Sequence, residues 1–387
     1  MAAPNPSRNH TISIAYANFP AVSQKLCKTV MFVAWTGCEL RPLHAFTISP
    51  GPSLTDISLQ ETQPSQSALA DLSARIATAR KASAGDARFR LTSQAAALLV
   101  LAIFAGVIGS LIIGAMPSIK AFGFNFIIDE AWRPTREHFG ALAPIYGTLV
   151  TSALAMLIAL PVGIGVAIFL TELCPRPLRR PIGIAIELLA GVPSIIYGIW
   201  GLFVFAPWFQ VHVQEPIVES IGDVPVLGTL FGGTAFGIGT FTAGLILSIM
   251  ILPFISAVTR DVLETVPSVL KEASYGLGST SWEVMWKVCL PFCSTGVVGG
   301  AMLALGRALG ETMAVTFVIG NAHRINPSLF APGTSISATI ANEFAEATSE
   351  LYTASLIELG LILFVITFIV LTCAQLMLRR LERAKGK

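Results

Sequence analysis

The chain has 387 residues, of which 53% are hydrophobic and only 12% charged, with a formal net charge of +2. A soluble domain carries about 25% charged residues, so this balance excludes one and indicates an integral membrane protein. So small a net charge argues against a nucleic-acid partner. Six cysteines and five histidines form no C-x-x-C and show no ligand spacing, so neither a metal, a cofactor nor a disulfide framework is expected.

Residues 1–89 differ from everything after them. They are rich in Ser, Pro, Ala and Gln, and this composition predicts a cytoplasmic extension that is mostly disordered. The run 29–34 is too short for a span. The spacing of Leu69, Leu72 and Ile76 predicts an amphipathic helix over 68–82. A regulatory extension and an upstream mis-called start both fit this segment.

From residue 90 to 387 the chain alternates apolar runs with short polar loops, and six runs are long enough to cross about 30 Å of hydrocarbon. They cover about 95–115, 146–170, 182–206, 236–258, 295–320 and 354–378. Basic residues alternate between the loops. Arg88 and Arg90 precede the first run, Arg176, Arg179 and Arg180 follow the second, Arg260, Lys271 and Lys287 follow the fourth, and Arg379 and Arg380 follow the last. By the positive-inside rule these loops and both termini are cytoplasmic, which makes the chain a multi-pass protein of the inner (plasma) membrane in contact with lipid. The opposite loops carry Asp129, Glu130, Glu137, Glu215, Glu219, Asp223, Glu343, Glu346 and Glu350, with Trp132 expected as an interface anchor. Such acidity would repel a free anion and suits either a docking partner or plain solvation. Pro161 and Pro193 are expected to break helices that are buried in protein or line a cavity.

Residues 260–291 read as two short helices joined by a corner. Pro267 suits a helix start, Gly276 and Gly278 a helix end, and Thr280 with Glu283 a capping box. Trp282, Val284, Met285 and Trp286 give the second helix an apolar side, and Pro291 closes it. Helices this small on the cytoplasmic side fit another protein's groove or lie flat on lipid.

In the fifth run, Arg307 and Glu311 are four residues apart, on one helix face and able to pair. An arginine at mid-span costs roughly 2.5–3.5 kcal/mol on insertion scales, which calls for a partner or a role. The ion pair could merely brace the bundle. Its guanidinium could equally bind an oxyanion bidentately, with Glu311 holding Arg307 when the path is empty. Gly296, Gly300, Ala304 and Ala308 form a small-residue stripe that lets another helix approach closely.

Glu272-Ala-Ser-Tyr-Gly-Leu-Gly278, with Leu290-Pro291 beyond it, resembles the coupling loop of ABC importer permeases; Ser274 replaces the usual second alanine. The resemblance implies that Glu272, Ala273, Ser274 and Gly278 dock an ATPase. No G-x-x-x-x-G-K-[ST] loop occurs in the sequence, so hydrolysis is expected on a separate chain and the permease is expected to be non-catalytic. Ala143-Pro-Ile-Tyr-Gly-Thr-Leu-Val150, Pro193-Ser-Ile-Ile-Tyr-Gly-Ile-Trp-Gly201, Leu305-Gly-Arg-Ala-Leu-Gly-Glu311 and Ala341-Asn-Glu-Phe-Ala-Glu-Ala347 resemble the PstC-type permeases of phosphate-specific ABC transporters. That resemblance runs from about residue 91 to the end. It implies an all-α type I importer (MetI-like) fold, uptake of inorganic phosphate from the periplasm, and Arg307 and Glu311 on the phosphate path. It also implies a PstA-like second permease, two PstB-like ATPase subunits and a periplasmic PstS-like phosphate-binding protein. A permease for another oxyanion such as sulfate, an ion-coupled secondary transporter, and a phosphate-sensing or assembly protein remain as alternatives.

Overall fold

The structure, a computed structural model, describes residues 66–221, 224 and 227–384, with backbone alone for 66–87 and 381–384. The chain divides into two compact units, Met1–Ser83 and Ala84–Lys387. The readings made for residues 1–65 lie outside the described residues. The helix expected over 68–82 falls within α1 (Gln66–Phe122).

Among the described residues the second unit is helical, apart from an isolated bridge between Arg133 and His138. Six helical segments are long and apolar enough to cross a membrane: Arg88–Phe122, Leu142–Leu173, Ser194–Ser220, Thr240–Glu264, Ser281–Leu309 and Glu350–Arg380. Their number matches the sequence reading, and the bounds of the third and fifth do not.

The third span begins at Ser194, not near 182. Residues before it form a separate amphipathic helix, α3 (Arg176–Gly191), which follows α2 (Leu142–Ile168). Val192 and Pro193 are extended, with ψ of 129° and 135°, so the chain turns before α4 (Ser194–Trp200). Pro193 supplies no backbone donor. The Tyr197 hydroxyl crosses the break and donates to the Leu189 carbonyl at 2.9 Å. The span then runs on through Trp208 to Ser220, shortening the acidic loop expected from residue 208.

The fourth span, α5 (Thr240–Glu264), is the most enclosed, with 61% of its apolar window buried. It packs most extensively on α2, and Ile246, Leu247, Met250, Ile251 and Ile255 form the central core with Ala155 and Ala159. This close approach has a local cause: a Cβ on Gly163 would come within 2.8 Å of the Ile255 side chain. After α5 comes the short α6 (Ser268–Gly276).

The fifth span also departs from expectation at both ends. Thr280 and Glu283 make the capping box, but Pro291 does not close the helix it starts. Pro291 sits in the first turn of α7 (Leu290–Leu309), where its missing donor costs nothing. A wide turn over Met285–Cys289 joins the two pieces into one span. Val284 and Met285 are therefore buried, while Trp282 and Trp286 stay exposed. At the far end the helix stops at Leu309, well short of Gly320, and restarts as α8 (Met313–Val318). The small-residue stripe packs as expected. A Cβ on Gly296 would meet Val262 at 2.6 Å and one on Gly300 would meet Val258 at 2.8 Å, both on α5.

A loop from Ile319 leads to α9 (Ile336–Glu343), and α10 (Glu350–Ala384) contains the last span. At this end of the unit an aromatic cluster of Phe126, Trp132, Phe139 and Tyr352 is buried with Ile336 and Leu356. Trp132 is thus a core residue and no interface anchor.

Candidate translocation path and docking loop

Arg307 lies in the last turn of α7 and is exposed. Its guanidinium carbon stands 4.7 Å from the centre of the Phe254 ring on α5, a cation–π contact. Glu311 is outside the helix. Gly310 has φ −92° and ψ 3°, which ends α7 and turns the chain. Glu311 Oε1 then reaches the Ala314 amide at 3.5 Å, at the start of α8, where a carboxylate suits the unpaired backbone donors. The Ser337 hydroxyl on α9 donates to the Glu311 carbonyl at 2.9 Å. Among the described residues Arg307 and Glu311 form no ion pair, which corrects the pairing expected from their spacing. The break at Gly310 removes the i,i+4 geometry that pairing requires.

The second region is the polar corner between α5 and α7. α6 starts after Pro267 and ends at Gly276, and Gly278 takes φ +85° to make the turn, with its amide donating to the Tyr275 carbonyl at 2.9 Å. Glu272 and Ala273 are exposed, and Ser274 is half-buried with its hydroxyl donating to the Leu270 carbonyl at 2.9 Å. The four residues picked out by sequence therefore share one short, outward-facing element. Sequence reasoning missed what anchors it. Lys271 Nζ meets Glu172 Oε1 at 2.6 Å, with both side chains mostly covered. Glu172 closes the second span, and an acidic residue beside the basic run Arg176–Arg180 was the available signal. Lys287 and Glu283, 2.9 Å apart, make a second, exposed pair.

At the opposite end of the unit three acidic residues, Glu343, Asp129 and Glu130, are taken up internally. The Glu343 carboxylate accepts from the Trp132 indole and, at 2.7 Å, from the Tyr352 hydroxyl. His323 Nε2 stands 2.8 Å from its other oxygen and the His323 ring stacks on Trp132. Burial alone would raise the Glu343 pKa, but His323, Tyr352 and Trp132 together hold it below the ordinary carboxylate value. Asp129 is lowered chiefly by the Ala131 amide, with His138 helping. Glu130 Oε1 accepts from the Ile325 amide at 2.6 Å.

This end is also closed. A Cβ on Gly147 would lie 1.7 Å from the Thr334 carbonyl oxygen, so α2 and the loop touch backbone to backbone. The Thr148 hydroxyl accepts from the Ile336 amide at 2.9 Å, and Thr334 and Thr339 share a 2.9 Å hydroxyl contact. Among the described residues no group of three potential ligands could hold a metal ion.

A six-span bundle interrupted at Gly310, with a short helical corner on one end, is the architecture of a type I ABC importer permease of the MetI-like kind. Residues 159–386 match the family of binding-protein-dependent transport system inner membrane components, and the chain belongs to that family. It is 62% identical over 314 residues to the phosphate transport system permease protein PstC of Mesorhizobium japonicum, covering 81% of this chain and 96% of that protein. With the PstC of Pasteurella multocida it shares 58% identity, covering 77% and 93%. Among solved structures it resembles a chain of a bacterial alginate ABC transporter in complex with an alginate pentasaccharide-bound periplasmic protein. That likeness has a TM-score of 0.51 at 18% identity, over 73% of this chain and 93% of that one, and concerns the fold.

Proposed function

We propose that the chain is the non-catalytic permease subunit of an ATP-driven importer that carries inorganic phosphate from the periplasm to the cytoplasm. The observation that carries this reading is its 62% identity, over 96% of the relative's length, to a protein named as a phosphate transport permease. The alternation of basic and acidic loops supports placing both termini and α6 in the cytoplasm. Residues 90–387 then form the permease domain and 1–89 an extension to it. The partners are a PstA-like second permease, two PstB-like ATPase subunits and a PstS-like periplasmic phosphate-binding protein.

In this mechanism a loaded binding protein docks on the end that carries α9, and ATP closes the ATPase pair beneath α6. Glu272, Ala273, Ser274 and Gly278 receive that closure. The Lys271–Glu172 contact passes it to the second span, which parts from the Thr334 loop and opens the path. Phosphate then meets Arg307, whose cation–π contact with Phe254 holds the fork without neutralising it. Glu311 serves the path by holding the start of α8 at the break. An exposed site of this kind binds weakly enough for the ion to leave.

The test is labelled-phosphate uptake into vesicles carrying the complete complex, with and without ATP and with excess sulfate. ATP-dependent, sulfate-resistant uptake that Arg307→Gln abolishes, with the complex still assembled, is the expected result. Full uptake by an assembled Arg307→Gln complex removes Arg307 from the path, and uptake driven by an ion gradient without ATP removes the importer reading.

A further inference from the structure

The loop between α8 and α9 is held at many points. Gly320 and Asn321 take φ of +95° and +50° to leave the membrane-level helix. The Ala322 amide donates to Gly333 and the Gly333 amide to Ile319, both at 2.9 Å, so the loop closes at its base. Its outer part is tied to the preceding loop: the Ser328 hydroxyl donates to the Gly232 carbonyl at 2.6 Å and the Leu329 amide to Leu230 at 2.8 Å. Between the two loops lies a cleft of about 460 Å³, lined by Gly228, Gly232, Thr234, Arg324, Asn326 and Ser328 among others.

Arg324 is the only arginine or lysine on this loop. It is exposed, and among the described residues it makes no ion pair. The acids around it are engaged elsewhere: Glu130 on the Ile325 amide next in sequence, Glu343 on Trp132, Tyr352 and His323. Neither carboxylate therefore pairs with the one guanidinium that lines the cleft, whose N–H fork is left for a ligand. A narrow continuation, with space of about 10 Å³, runs from Arg324, Asn326 and Ser328 to Tyr146, Thr240 and the closed contact of Gly147 with Thr334. The cleft thus leads to the point where the path is shut.

We infer that this cleft is a receiving site for a tetrahedral oxyanion, with Arg324 as its charged fork and the polar lining of Thr234, Asn326 and Ser328 around it. It is a second anion site, at the opposite end of the break from the cytoplasmic loop and distinct from Arg307. An arginine fork matches two oxygens of such an ion, and an open, half-solvated cleft lets the ion pass on. The inference rests on the reading of the chain as a phosphate importer, which assigns this end to the periplasm.

The test measures occupancy apart from transport. In the complete complex, Ala322→Cys, with Phe236→Cys as a second reporter on the same cleft, is labelled by a membrane-impermeant maleimide. Labelling is measured against inorganic phosphate, with chloride at matched ionic strength as control. Phosphate is expected to slow labelling. Adding Arg324→Gln is expected to raise the half-protecting concentration roughly tenfold or more, as loss of a charge-assisted hydrogen bond does, with Arg324→Lys between the two. Protection that is absent, unchanged by Arg324→Gln, or given only by the binding protein overturns the site. Uptake by the same parent complex separates the two readings. A complex that imports phosphate without Arg324-dependent protection sinks the cleft alone, and one that is protected but imports none sinks the import reading alone.

Discussion

The two ends of the permease unit solve opposite problems. At the α6 end, Val269, Leu277 and Trp282 are exposed, Leu277 by 88%, and the corner is tied to the bundle by one covered ion pair and a capping box. At the α9 end the loops turn inward: Trp132, Phe139 and Tyr352 pack together, and Glu343 and Thr148 bond to groups far away in sequence. Exposed apolar side chains on so small an element are what a surface covered by another chain looks like. Polar groups bonded across segments distant in sequence, as Trp132 to Glu343 and Ile336 to Thr148 are, suit a self-closing end. One end leaves apolar side chains uncovered and the other buries its own.

The contrast breaks most severely at the closed end. Gly147→Val would place a side chain where the Thr334 carbonyl already lies, 1.7 Å from the Cβ position. Neither backbone can yield without parting α2 from the loop, so a loss of about 3 kcal/mol is expected, the upper part of the usual range for overpacking. Thermal unfolding of the purified complex measures it, and a variant as stable as the parent shows that the ends are not pinned there. Gly165→Ala on the same helix, which meets nothing within 4 Å, is expected to keep or raise stability, by up to about 1 kcal/mol.

The α6 end should break without unfolding. Glu272 is exposed and makes no contact that holds the bundle, so Glu272→Lys is expected to leave the melting temperature alone while lowering ATPase capture and uptake at least about tenfold, the scale of one charged contact at an interface. Co-purification of the ATPase with full activity would show that α6 is not its docking element. Lys271→Ala probes the same path one step inward. It leaves Glu172 covered and unpaired, and is expected to destabilise by about 1–3 kcal/mol and to weaken coupling while the ATPase stays bound.

How far these ends were readable follows from what each is made of. The six spans, the capping box at Thr280 and Glu283, and the small-residue face of α7 are local patterns, set by runs and spacings within one segment. The start of the third span was misplaced because the apolar side of α3 reads like continuous span when only hydropathy is counted; the turn at Val192 and Pro193 separates them. Arg307 stood out by its charge in an apolar run, but the pairing expected with Glu311 does not form. Spacing assumes an unbroken helix, and Gly310 breaks it. Arg324 was passed over because the acids near it were counted as free charge. Glu130 and Glu343 are engaged by Ile325 and Trp132, contacts between residues far apart in sequence that no local pattern records.

The smallest effect concerns the chemistry of that inward-turned end. Glu343 is held below its ordinary pKa while it accepts from Trp132 and Tyr352 and faces His323, with Glu346 the nearest other acid acting on Tyr352. A carboxylate lowered in the folded state contributes stability above its unfolded pKa, about 4.3 for glutamate, and that contribution is lost as pH falls through the lower folded value. Glu343→Gln removes the charge and keeps the shape. The parent is expected to exceed this variant by about 1–3 kcal/mol above pH ~5, as for hydrogen bonds to a charged group, with the difference shrinking as the pH falls toward ~3. Melting temperatures of both complexes across that range measure it. A difference that does not change over the range would mean that Glu343 acts through its shape alone. In that case the end would close by packing and hydroxyl contacts, and its acids would return to being the free charge that the sequence suggests.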